Sequence, residues 1–204
     1  MVAKITFFPV GNGDMTLIET ESGKKILIDC RIRKGSDHPD VLTQLRDRLT
    51  RDSEDRLYVD LFVWSHPDKD HCQGIEEYFH LGLPEDWSSS EDLIFINEIW
   101  SSPLVYRRAG RTHTLCDDAK ALNKEVKRRV QYYKDNSPQN IGNYVLILGE
   151  DENGKTDDIQ NIVLQLDDTR NHINGNYDYT FSALLLAPSP KSEHDGNPPF
   201  FNRS

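Results

Sequence analysis

Residues 57–64, LYVDLFVW, form an apolar run with little polar alternation, as expected of a strand covered on both faces. The run opens directly into Ser65-His66-Pro67-Asp68-Lys69-Asp70-His71-Cys72-Gln73-Gly74. A loop leaving a buried strand is a rigid place to hang ligands, because the strand fixes its start while the loop turns several side chains inward. His66, Asp68 and Asp70 alternate and His71 follows directly, so the loop can offer nitrogen and oxygen donors to two nearby ions. That donor set suits a two-metal hydrolytic site, with Pro67 narrowing the backbone choices between the first two ligands. The plainer alternative is a solvated turn rich in Asp and Pro.

Around this cluster the chain alternates strands and helices. Residues 4–8, 15–20 and 25–29 read as a strand meander broken by the turns Val10–Asp14 and Glu21–Lys24. Val41, Leu42, Leu45 and Leu49 fall at helical spacing within a helix predicted from His38 to Leu49, capped by Ser36 or Asp37. A short helix is expected over Gly74–His80, a buried strand over 93–100 and an amphipathic helix from Asp117 to Tyr133. Further strands are expected within 143–155, 159–166 and 179–190. With no internal repeat and no linker, residues 1–204 read as one domain of mixed α/β layered architecture.

Composition removes several alternatives. No apolar run approaches the length of a membrane span, and the N-terminus lacks a signal-peptide pattern, so the expected location is cytoplasmic. A net charge of -10 argues against nonspecific nucleic-acid binding by the whole surface, and bound divalent cations would offset part of it. Locally, nine Lys or Arg between Arg107 and Lys134 face three acids, which could guide a phosphate backbone or form a solvated helix face. Cys30, Cys72 and Cys116 are too widely spaced for a disulfide framework or a cysteine zinc site, and read as small buried residues. His38, His80, His113, His172 and His194 stand alone and read as surface or structural residues, and Trp100 packs or stacks on a base. There is no phosphate-cradling glycine loop, because GNGD precedes a strand, and no GxSxG elbow.

The order VGNGDMTLIET, KKILIDC, SHPDKDHCQG resembles the metallo-β-lactamase superfamily, in particular the metallohydrolase domain of competence DNA-internalisation proteins. The resemblance covers about the first half of the chain. It implies an αββα sandwich in which the metal motif follows a buried strand, with His66 and Asp68 on one ion and Asp70 and His71 on the other. Asp29 matches an acidic residue with a supporting role beside the metals. Asp68 stands where the superfamily commonly has histidine, which makes the site harder and shifts the preference from zinc toward manganese or magnesium without excluding zinc.

In that subgroup a Leu-Ala-Pro strand end is followed by further elements that supply a bridging carboxylate and a late histidine. Here LLLAPSP at 184–190 is followed by a polar loop and Asn202-Arg203-Ser204, so the sandwich is expected to be its N-terminal part and incomplete. Asn202 resembles an asparagine near the third ligand of the first metal, or is a tail residue. The chain would then be either a fragment of a longer protein or completed by a partner chain or a second copy. The expected function is a hydrolase with two divalent ions, zinc or manganese, acting on phosphodiesters in nucleic acid or a nucleotide, with Asp70 as general base. The alternative is an interaction subunit that keeps the fold without a working site.

Overall fold

β1 (Lys4–Phe7), β2 (Thr16–Glu19) and β3 (Lys25–Ile28) run as the antiparallel meander that the two turns predict. The structure is a computed structural model and describes residues 2–106, 114–136, 138–151 and 153–186. Short β4 (Cys30–Arg31) follows, then α1 (Val41–Arg46) and β5 (Thr50–Arg51). The long strand β6 (Leu57–Trp64) leads into the histidine and aspartate loop, β7 (Cys72–Gln73) and α2 (Ile75–Tyr78). Next come β8 (Phe95–Ser101), α3 (Asp117–Asp135), β9 (Tyr144–Leu148) and β10 (Val163–Leu164).

These strands form one sheet in the order β1-β2-β3-β6-β8-β9-β10, with β5 paired to the start of β6. From β3 to β10 the pairings along this path are parallel. Parallel neighbours need crossovers, and α1 between β3 and β6 and α3 between β8 and β9 lie within two of them. The molecule is a mixed α/β fold with a mostly parallel central sheet.

Register places Leu17, Leu27, Phe62, Ile99 and Val145 in one cross-strand row, and these five share the main core with Leu122, Val126 and Val130 of α3. The opposite face carries Ile26, Leu61, Trp100, Leu146 and Leu164, packed with Ile173. It is covered in part by residues 165–186, where β11 (Thr169–Arg170) pairs β14 (Ala183–Leu184) and β12 (His172–Ile173) pairs β13 (Asn176–Tyr177). Asn174, at a positive φ of 56°, clips this cover to the sheet. Its backbone N–H donates to Glu98 and its side chain donates to Asp60. The cover stops short of β1, where Ile5 and Phe7 remain 57% and 77% exposed.

Several boundaries differ from expectation. Of the strand expected over 159–166 only Val163–Leu164 is strand, because a 3₁₀ helix occupies Asp157–Ile162, and the helix expected to reach Leu49 ends at Arg46. α1 begins at Val41 and its cap is Asp40, whose carboxylate accepts from the Thr43 N–H at 3.0 Å, not Ser36 or Asp37. Pro39 explains this, because it disfavours the helical region at His38 and so delays the helix. The expected strand at 179–190 is regular only over Ala183–Leu184, and residues 187–190 lie outside the described residues. Among the described residues no helix is long and apolar enough to cross a membrane.

Candidate metal centre

The ends of β3 and β6 lie side by side, and Asp29 joins them. Its backbone N–H donates to Val63 O at 2.9 Å, and it holds a left-handed φ of 54°, which non-glycine residues seldom adopt. That turn buries its carboxylate, leaving the residue 3% exposed. Oδ1 accepts from the Ser65 N–H at 2.8 Å, and Oδ2 accepts from the Ser65 hydroxyl at 2.6 Å and lies 2.7 Å from His71 Nδ1. A buried carboxylate left without donors costs several kcal/mol, so three partners on one loop fix that loop firmly.

Beyond Ser65 the chain crosses Pro67 and tightens into a 3₁₀ turn over Lys69–His71, closed by the His71 N–H on Asp68 O at 3.0 Å. The turn brings the two imidazole rings together, with centroids 3.6 Å apart. His66 Nε2 lies 3.6 Å from Asp68 Oδ2, and His71 Nε2 lies 3.9 Å from Asp70 Oδ2. These separations are too long for hydrogen bonds. Two donors at about 2.1 Å from one tetrahedral ion stand about 3.4 Å apart, so each pair needs to close by only a few tenths of an ångström to share an ion. With His71 Nδ1 facing Asp29, its Nε2 is the nitrogen left for a ligand role, the usual arrangement of a carboxylate-oriented metal histidine. The residues present fit divalent ions, and the carboxylate-rich donor set suits manganese as well as zinc.

Two further residues belong to the site. Asp14 places its carboxylate 3.8 Å from His71 Nδ1, and its N–H donates to Asp70 O at 3.3 Å, pinning the Val10–Asp14 turn onto the loop. Asp14, Asp29 and His71 bring one possible ligand atom each within 4.8 Å of one another. Asp29 already accepts from the loop, so its part in that grouping is orientation. The signal for Asp14 lay in Gly13: at φ 125°, a Cβ there would meet Asp70 O and the Arg31 side chain at 2.6 Å. Only glycine lets the turn approach so closely.

Arg31 is the second addition. Its Nη1 lies 4.0 Å from Asp70 Oδ2, and its Nε and Nη1 are buried with no hydrogen-bond partner. Sequence inspection passed over it as one arginine among many.

Of the residues expected from sequence, His66, Asp68, Asp70, His71 and Asp29 come together at one end of the sheet. Asn202 lies outside the described residues, as do Arg107, Arg108, Arg111, His113 and His194. The basic stretch resolves differently. Arg129 is buried, its guanidinium bonded to Glu125 and to the carbonyls of Ile96, Asn97 and Tyr144, while Arg128 pairs Glu125. Lys120 and Lys134 pair Asp117 and Asp158, while Lys124 and Lys127 of α3 are exposed. Trp100 is 4% exposed and donates to Glu98, so it packs. A surface cleft lined by residues that include Arg33, His38, Gln73 and Glu77 contains none of the four expected ligands.

No family model matches the chain, and comparison with curated proteins and with solved structures gives no match.

Proposed function

We propose that this chain is a metal-dependent hydrolase of metallo-β-lactamase type, cleaving phosphodiester bonds in nucleic acid or a nucleotide. Two divalent ions, zinc or manganese, would be held by His66 with Asp68 and by His71 with Asp70. The observation that carries the reading is the pairing of each imidazole Nε2 with a carboxylate of the same loop at 3.6 and 3.9 Å. When bound, the ions supply a water nucleophile at neutral pH and positive charge for the attacked group.

The chain's own residues do the rest. Asp29 would accept a hydrogen bond from the Nδ1–H of His71, fixing the tautomer that leaves the Nε2 lone pair for an ion, and through Ser65 it holds the start of the loop. Asp70 stands within reach of the same centre to orient a water and accept its proton. Arg31 favours an anionic substrate: its two unpaired guanidinium donors beside Asp70 lack the acceptor that a phosphate oxygen provides.

The test is metal analysis joined to hydrolysis of bis(p-nitrophenyl) phosphate and of DNA. About two equivalents of ion are expected, and His66→Ala with Asp70→Ala should remove them and cut hydrolysis by roughly 10³-fold or more. Absence of metal uptake together with absence of hydrolysis would overturn the reading. In that case the interaction subunit is favoured, a reading supported by the exposed Ile5 and Phe7 on β1.

A further inference from the structure

The three cysteines, scattered in sequence, meet at the inner end of the candidate centre. Cys30 and Cys72 are register partners in the β4–β7 pair and are fully buried. Cys116, half-buried, is the residue before the first turn of α3, and its Sγ lies 3.8 Å from that of Cys72, at van der Waals contact. The Cys72 thiol otherwise reaches Asp68 O at 3.3 Å, whereas Cys30 donates to Gln73 O at 3.4 Å. Cys72 and Cys116 are therefore in contact, while the Cys30 thiol is engaged elsewhere. Cys72 also directly follows His71, so it marks the end of the ligand loop.

We propose that Cys72 and Cys116 are a modification site, a thiol pair that a hydroperoxide converts to an intramolecular disulfide joining the ligand loop to α3. Access decides the order, since Cys116 is the only one of the three that is not fully buried. The Cys116 sulfur attacks hydrogen peroxide; the O–O bond breaks, leaving a sulfenic acid and water. The Cys72 sulfur then attacks the sulfenic sulfur, the S–O bond breaks and the oxygen leaves as a second water with the thiol proton. Two thiols lose two electrons and two protons to one peroxide. A rotation that brings the sulfurs from 3.8 Å to bonding distance gives up the Cys72 bond to Asp68 O, so the modification reaches the turn that presents the candidate ligands.

The experiment treats the whole protein with hydrogen peroxide, alkylates remaining thiols and maps disulfides by mass spectrometry without reduction. The expected product is a Cys72–Cys116 linked peptide, about 2 Da lighter than its parts and restored by dithiothreitol, with Cys30 alone alkylated. Cys116→Ser should abolish the link, and Cys30→Ala should leave it. A sulfinic Cys116 with no link, a link through Cys30, or a link between two chains would each overturn the proposal. Mapping the natural sequence decides the matter even if a variant fails to fold, and the readout is independent of whether the centre binds metal.

Discussion

Asp29 is where a single side chain has the widest reach. Its left-handed backbone turns a carboxylate beneath the loop, and there it takes hydrogen bonds from Ser65 and faces His71. Asn tolerates the same backbone, so Asp29→Asn keeps the turn and removes the charge. An amide cannot accept on both sides, and one of its partners then meets a donor. Divalent-ion affinity, measured by titration calorimetry, is expected to fall about 10- to 100-fold. An unchanged affinity would show that Asp29 does not orient a ligand. Asp29 stood out in the sequence because it matches an acidic residue of the family that the chain resembles, and the structure sets it against Ser65 and His71. Asp14 and Arg31 were not, because what brings them in is the close approach of two loops at Gly13, which depends on tertiary structure and not on spacing.

At the scale of elements, α3 is secured by charge as well as by its apolar stripe. Arg129 caps carbonyls at the edge of β8 and β9, and Glu125 neutralises it at 2.7 Å. Burial pushes the Glu125 carboxyl up, but Arg128 and Arg129 outweigh it, and its pKa lies below the ordinary 4.5. A folded pKa below the unfolded one means stability that is present above pH 4.5 and is lost as pH falls through the folded value. Glu125→Gln is therefore expected to cost about 3 kcal/mol near neutrality, by leaving Arg129 charged and buried without its partner. Thermal melts should show the gap between variant and parent narrowing below pH 4.5. A gap independent of pH would mean that the carboxylate charge contributes nothing. The helix itself was readable from Ala119, Leu122, Val126 and Val130, all buried as the periodicity requires. The inward aim of Arg129 was not, since an arginine in a basic helix ordinarily faces water.

For the whole molecule, the two faces of the sheet are finished unequally. The helical face holds the larger core, whereas the other depends on residues 165–186, held by Asn174 on Glu98 and Asp60 and by Ser22 on Asp178. Asn174→Ala loses the bond to Asp60 and strains a positive φ, for a cost of about 1–3 kcal/mol. Hydrogen exchange should accelerate over 169–185 while α3 stays protected; protection unchanged in both would show that this contact does not hold the cover. The mixed α/β class was foreseeable from apolar runs alternating with helical segments. The paired short strands of the cover were not, because two-residue pairings leave no periodic pattern.

The reach of Asp29 also bears on the order of folding. It bonds residues 36 and 42 positions later in the chain, across the β3–β6 pairing. Closing so long a loop comes late, after the sheet has aligned the two strand ends. An excised peptide spanning the histidines therefore lacks the anchor that shapes them, and any uptake of an ion by the loop would report that the sheet beneath it has formed.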